Sequence, residues 1–262
     1  MSTEANATKT SSPSTDAGAV QYELSDGIAT IRIDDGKRNA LSPAILTSLY
    51  AALDRAEKDR AIVILTGRVG VFSAGFHLGV LRGGNPARAL GMLRKGYRLP
   101  ARLLSFPYPV VVACNGHCFA MGAFLLLSAD HAIGTAGDFQ IAVNEVAIGL
   151  PMPRVGAAML AHRLSPAVYQ RTVTVAAHST PEQAKDAGFF DELAAPEDLE
   201  ATARARAESF KALDMPAHRI SKRRIRGGLI RRLRFSLPLD LFDAVLVGLR
   251  GARKGRKKNG VS

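Results

Sequence analysis

The stretch Val110-Val111-Val112-Ala113-Cys114-Asn115-Gly116-His117-Cys118-Phe119-Ala120-Met121-Gly122-Ala123-Phe124 decides how the chain is read. Five small or β-branched residues make a buried strand, and Asn115-Gly116 breaks it. Beyond the break, Ala120 to Leu127 supplies the first turns of a buried helix. A strand that turns sharply into a helix leaves unpaired N–H groups at the helix start. Those groups, with the positive end of the helix dipole, suit a developing negative charge. Alone, the stretch also fits an ordinary strand–loop–helix connection.

Two further stretches narrow the reading. Ile62 to Thr66 is a second short apolar strand, followed by Gly67 and then Phe72-Ser73-Ala74-Gly75-Phe76-His77-Leu78, where small residues let backbone approach a ligand closely. Asn144-Glu145-Val146-Ala147-Ile148-Gly149 sets one carboxylate in an apolar surround. In this order the three motifs resemble the enoyl-CoA hydratase/isomerase (crotonase) superfamily over roughly residues 20 to 215, on the side of its single-glutamate, isomerase-like branch.

The resemblance implies an α/β fold, a spiral of repeated ββα units with a C-terminal helical trimerisation region, and a substrate that is an acyl-CoA thioester. It transfers two oxyanion-hole donors, the backbone N–H groups of Phe76 and Met121. Each such donor is worth about 3 kcal/mol to an enolate transition state. It makes Glu145 the catalytic base. Lys37, Arg38 and Ala40 occupy the places of coenzyme A contacts, although as residues alone Lys37 and Arg38 read equally as solvated loop charges. Ala74, His77 and Leu78 fall in the same substrate-binding loop. Met121 stands where many relatives have glycine, and His77 where the usual residue is Asp.

The departure that sets the subtype is Phe124. The family's hydratases carry a second glutamate at the matching position, so that two carboxylates hold and activate water. Phenylalanine neither donates nor accepts a proton, and its ring dries the pocket. One glutamate suffices for a 1,3-proton shift, so Δ3-Δ2-enoyl-CoA isomerisation is favoured over hydration. The alternatives are a slow hydratase assisted by an unrecognised second acid, and a noncatalytic acyl-CoA-binding protein. His77 and His117 could lend an acid or base, but histidines in such places more often bond locally. No cofactor is expected beyond the coenzyme A of the substrate.

Composition bounds the rest. The 262 residues are 47% apolar with 24 glycines, as in soluble globular α/β chains. Cys114 and Cys118 are the only cysteines, which points away from a disulfide framework and toward a reducing compartment, the cytoplasm. With His117 between them they lack a fourth metal ligand, so they read as small buried residues and no metal is expected.

The net charge of +12 resides wholly in residues 217 to 262, where 14 Lys and Arg face two acids. From Gly251 onward the tail lacks the interleaved aromatics of a nucleic-acid binder, and Phe235 to Leu249 is too short and too charged to span a membrane. The organisation read from the chain is a disordered arm over 1–18, a core over 19–195, a helical region over 196–250 and a frayed basic tail over 251–262. The tail could hold coenzyme A phosphates or bind acidic surfaces. A homotrimer, or a hexamer of paired trimers, follows from the resemblance.

Overall fold

The computed structural model describes the backbone from residue 18 to 259 and side chains from 18 to 248. The arm expected over 1–18 lies outside the described residues apart from Gly18. The chain opens with β1 (Val20–Ser25) and β2 (Ile28–Ile33), an antiparallel hairpin. Its turn residues Asp26 and Gly27 both have positive φ, the backbone that matches the twist of a two-residue hairpin. Helix α1 (Pro43–Lys58) follows, with the Ser42 hydroxyl accepting from the Ile45 N–H and Pro43 in the first turn. Its face of Ile45, Leu46, Leu49, Ala52, Leu53 and Ala56 is buried.

Three similar units come next. The first holds β3 (Ile62–Thr66), β4 (Gly70–Ser73), α2 (Leu78–Arg82) and α3 (Pro86–Leu104). The second is β5 (Val110–Cys114), β6 (Gly116–Phe119) and α4 (Met121–Leu126). The third is β7 (His131–Thr135), β8 (Ile141–Ala142), a single 3-10 turn, α5 (Arg154–Arg163) and α6 (Pro166–Thr174). Each unit adds one strand to each of two sheets. β3, β5 and β7 stack in parallel in a six-stranded sheet of order β1-β2-β3-β5-β7-β10, and β4, β6 and β8 run in parallel through a four-stranded sheet closed by β9. The chain therefore winds as a spiral of ββα turns. It finishes with β9 (His178–Ser179), α7 (Pro181–Ala187), β10 (Glu192–Ala194), α8 (Leu199–Ser209) and α9 (Met215–Asn259).

In the main sheet β3 and β5 are buried on both faces, which is why they read as continuous apolar runs. Val63, Leu65, Val110 and Val112 join the large core with α1, α3, α4 and α5. Their alternates Ile62, Ile64, Val111 and Ala113 pack with Leu199, Ala203 and Ala207 of α8.

Local differences from the sequence reading have physical causes. The break at Asn115-Gly116 introduces a further strand, β6, and the glycine loop after β3 contains β4. Strands this short carry no periodicity of their own, and a side chain at Gly116 would collide with the Gly70 backbone. Helix α6 stops at Thr174, and Ala176 turns with φ of 50°. The backbone of the expected frayed tail continues α9 as far as Asn259.

Helix α9 lies across α3 and α5 and is tied down by its few buried polar groups. Lys222 and Arg226 both reach Asp130, whose carboxylate also accepts the Val110 N–H. Asp240, almost fully buried, accepts the N–H of Arg154 at 2.8 Å and of Val155 at 2.9 Å. It thus caps α5, which has no side-chain cap of its own, from 85 residues downstream. Among the described residues no helix is long and apolar enough to cross a membrane. Replacing Asp240 with Ala strips two buried N–H groups of an ionised acceptor and should cost about 2–3 kcal/mol in urea denaturation. Asp243→Ala breaks only a half-exposed pair with Arg154 and should cost under about 1 kcal/mol in the same measurement.

Candidate active site

The site begins with the loop between β2 and α1. Asn39 is fully buried with φ of 50°, and its amide donates to the carbonyls of Ile33, Val71 and Phe72 at 2.8, 3.1 and 3.2 Å. Asp35 accepts from the N–H groups of Lys37, Asn39 and Ala40. The fold of this loop thus comes from two polar side chains that the sequence reading passed over. Lys37 and Arg38 are exposed on it. The Arg38 carbonyl accepts the Ala74 N–H at 3.0 Å, which fastens both cations to the next loop.

That next loop follows β4. Ser73 donates its hydroxyl to the Asn39 carbonyl at 2.9 Å and accepts the Gly75 N–H at 3.2 Å. Leu41 donates to the Gly75 carbonyl at 2.7 Å and accepts the His77 N–H at 3.3 Å. Extended backbone alternates its polar groups from side to side, so this bridge turns the Phe76 N–H away from Leu41. Leu78 begins α2, and His77 caps it, with Nδ1 accepting the Val80 N–H at 3.3 Å.

The second loop joins β6 to α4. Ala120 has φ of 50° and ψ of −119°, a backbone that residues with a Cβ rarely adopt. Its N–H goes to the Ala142 carbonyl at 2.9 Å, and the unusual ψ directs the following peptide, with the Met121 N–H, out of the helix end. Among the described residues no acceptor takes the N–H of Phe76 or of Met121. The two loops touch at Gly75: a Cβ there would lie 2.8 Å from the Ala120 methyl carbon and 3.3 Å from the Met121 nitrogen. Two unpaired backbone donors therefore sit on adjoining loops.

Glu145 follows β8 and opens the 3-10 turn Val146–Ile148, which Gly149 ends in the left-handed region. The carboxyl is only 7% exposed, and its Oε2 has no hydrogen-bond partner. Burial pushes its pKa up to about 7, and among the described residues no second carboxylate contributes to that shift. A carboxyl so placed can exchange protons near neutral pH.

Tyr97 of α3, unremarked in the sequence, links the parts. Its ring meets that of Phe76 edge to face at 5.4 Å between centroids. Burial raises its phenol pKa, and the charges of Glu145 and then Asp240 add to the rise, so it stands neutral between them. Gly96 beside it leaves room for the Phe76 ring. The sequence signal available was a glycine next to an aromatic in an otherwise basic helix.

Phe124 is fully buried in α4, its ring laid against Gly156 of α5, where any side chain would overlap it. His117 is occupied elsewhere: Nδ1 accepts the Gln140 N–H at 3.1 Å, and the ring stacks on Phe119. Cys114 and Cys118 are buried free thiols. The structure thus sets the loops of Ala74–Phe76 and Met121 in contact, with Lys37, Arg38 and Ala40 on the adjoining loop, while Glu145 is tied to them through Tyr97, which packs on Phe76 and feels the Glu145 charge.

Comparison with known proteins places the chain in a family. The family model described as enoyl-CoA hydratase/isomerase matches residues 23–227. The human mitochondrial enoyl-CoA delta isomerase 1 is 28% identical over 218 residues, covering 82% of this chain and 72% of its own length. A crystal structure of an enoyl-CoA hydratase/isomerase family protein from Pseudomonas syringae superposes with a TM-score of 0.84 at 42% identity, covering 86% of this chain and 98% of that one. The crystal structure of human mitochondrial delta3-delta2-enoyl-CoA isomerase gives 0.85 at 26% identity, covering 93% and 100%. With its two-sheet spiral and this match over most of its length, the chain belongs to the enoyl-CoA hydratase/isomerase family.

Proposed function

We propose that the protein isomerises 3-enoyl-CoA thioesters to 2-enoyl-CoA thioesters in fatty acid metabolism. The observation that carries this reading is a buried Glu145 carboxyl whose Oε2 has no hydrogen-bond partner and whose pKa, among the described residues, no second carboxylate shifts. Ionised Glu145 takes a proton from C2, and the electron pair passes through the carbonyl carbon to the thioester oxygen. The N–H groups of Phe76 and Met121 receive that oxygen as its charge grows. The same carboxyl, now protonated, returns the proton to C4, and the double bond settles between C2 and C3. Atoms and electrons balance without water, and nothing is oxidised, so the step calls for no cofactor beyond the coenzyme A carried by the substrate.

Phe124 supports isomerisation over hydration. Its ring fills its place against Gly156, leaving neither a carboxylate nor room there to hold a reacting water. Lys37, Arg38 and the Ala40 backbone face the coenzyme A nucleotide in this reading, and Ala74 and Leu78 flank the thioester. The Ala40 N–H is already given to Asp35 at 3.2 Å, so its carbonyl makes the contact. His77 acts as a helix cap that shapes the binding loop. Assembly as a homotrimer, or as a hexamer of paired trimers, comes with the family reading. The free thiols fit a cytoplasmic setting.

Two consequences follow from the Glu145 carboxyl. With 3-enoyl-CoA as substrate, kcat/KM should rise with pH through an apparent pKa near 7, because the base must be ionised. Glu145→Gln should lower kcat by roughly a thousandfold in the same assay. Fast hydration of 2-enoyl-CoA would reassign the chain to the hydratases, and tight binding of both thioesters with neither reaction would make it a binding protein.

The second consequence concerns stability. Between pH 4.5 and about 7 the folded protein keeps a proton that the unfolded chain has released. Stability is therefore lost as pH rises through that window and levels off above it. Glu145→Gln removes the effect and should stabilise the protein by up to about 3 kcal/mol at pH 8, with little gain at pH 4, in denaturant titrations at the two pH values.

A further inference from the structure

Helix α3 carries an interior glycine that local chemistry does not explain. Glycine weakens a helix relative to alanine, so a buried one inside α3 marks a packing demand. At Gly91 of the same helix an added carbon would meet no atom within 4 Å. At Gly96 it would lie 2.2 Å from Cε1 and 2.4 Å from Cζ of the Phe76 ring. Tyr97 closes this seat from the side, its ring edge to face with that of Phe76 at 5.4 Å and 84° between planes.

The seat is held firmly. α3 buries Met92, Leu93, Leu99 and Leu103, and polar bonds fasten it to α1. The Tyr50 hydroxyl donates to the Lys95 carbonyl at 3.1 Å, one residue before Gly96, and Arg102 donates to Asp54 at 2.9 Å. On the other side the fully buried Leu41 holds both neighbours of Phe76, through the Gly75 carbonyl and the His77 N–H. The Phe76 backbone is thus gripped by Leu41 and its side chain by α3. A push on the ring passes to the Cα beside the N–H.

We propose that Gly96 and Tyr97 are positioning residues for the oxyanion hole, fixing the Phe76 N–H through the seat they give its ring. The inference rests on the oxyanion-hole reading above and adds to it a helix outside the two donor loops. A displaced donor loses most where the oxygen carries most charge, which is in the transition state. Misplacement by about 1 Å can cost up to about a hundredfold in rate. The loss therefore falls on kcat and spares KM.

The test is a double-mutant cycle between positions 96 and 76 of the full-length protein, with 3-enoyl-CoA as substrate. Gly96→Ala should lower kcat about tenfold or more while KM stays within about twofold. In a Phe76→Leu background the same change should cost under about twofold. Leucine ends at its δ carbons, and Cδ1 of the ring already lies at an ordinary 3.5 Å from the added carbon. Gly91→Ala should leave kcat unchanged. Tyr97→Leu should lower kcat about threefold or more, and Tyr97→Phe, which keeps the ring, should restore it. A second readout needs no turnover: the infrared carbonyl stretch of bound butanoyl-CoA labelled with carbon-13 at the thioester. Binding to the parent protein should lower the stretch, and Gly96→Ala should return it toward its free value.

Equal losses from Gly96→Ala in both backgrounds, Tyr97→Phe as damaging as Tyr97→Leu, or a bound carbonyl indifferent to Gly96→Ala overturns the proposal. If Gly96→Ala does not fold, the two Tyr97 variants decide it. A parent protein that lowers the stretch without isomerising 3-enoyl-CoA overturns the isomerase reading alone, and the carbonyl spectra of the variants then decide the positioning role. A parent protein that binds the thioester without shifting its carbonyl overturns both.

Discussion

A methyl group at position 75 would overlap Ala120 and crowd the Met121 nitrogen. The candidate site rests on that close approach of two backbones. It lets the ends of β4 and β6 meet, and with them the two N–H groups that no acceptor among the described residues takes. The remaining architecture holds the approach in place. The spiral sets β4 and β6 side by side in the smaller sheet, the Leu41 bridge turns Phe76, and the unusual ψ of Ala120 turns Met121. Backbone strain of this kind typically costs about 1–3 kcal/mol and persists only where the surroundings impose it. Here they do: Gly122 lets the first turn of α4 close onto Ser73, and Ala120 is bonded to Ala142.

Much of this was legible in the sequence because it is written in short-range chemistry. Val110 to Cys114 and Ile62 to Thr66 announce buried strands, and Ala120 to Leu127 the helix beyond the Asn115-Gly116 break, each through constraints acting within a few residues. The strands β4, β6 and β9 were not legible, since two to four residues hold no period and their pairing partners are remote in sequence. Among the site residues, the three motifs with their spacing drew out Phe76, Met121 and Glu145, and the fold sets the first two on loops that touch. Asn39, Asp35 and Tyr97 escaped because they act by bonds and contacts across the fold. A polar residue in a loop looks the same whether it faces water or clamps three carbonyls.

Asp240 shows the same limit at longer range. In sequence it is an acid within an apolar helical stretch, one reason to reject a membrane span. In the fold it caps α5 from across the molecule and contributes to the field at Tyr97, which in turn feels Glu145. The C-terminal helix is thus coupled to the candidate site through a carboxylate that touches no part of it. The burial of Glu145 runs the other way: it keeps a proton available near neutral pH at the expense of folding stability, a conflict seen where activity and stability make opposite demands.

The two donors are main-chain groups, and this governs how the protein would look to a complete single-residue substitution scan. Every non-proline residue at position 76 or 121 still presents an N–H, so those two rows of the scan would report only pocket shape and packing. The intolerant rows would include Gly75, Gly116, Gly122, Asn39 and Gly156, none of which has a reactive group to offer. Read without the fold, such a map would describe a scaffold with one sensitive glutamate, and half of the chemistry would pass as architecture.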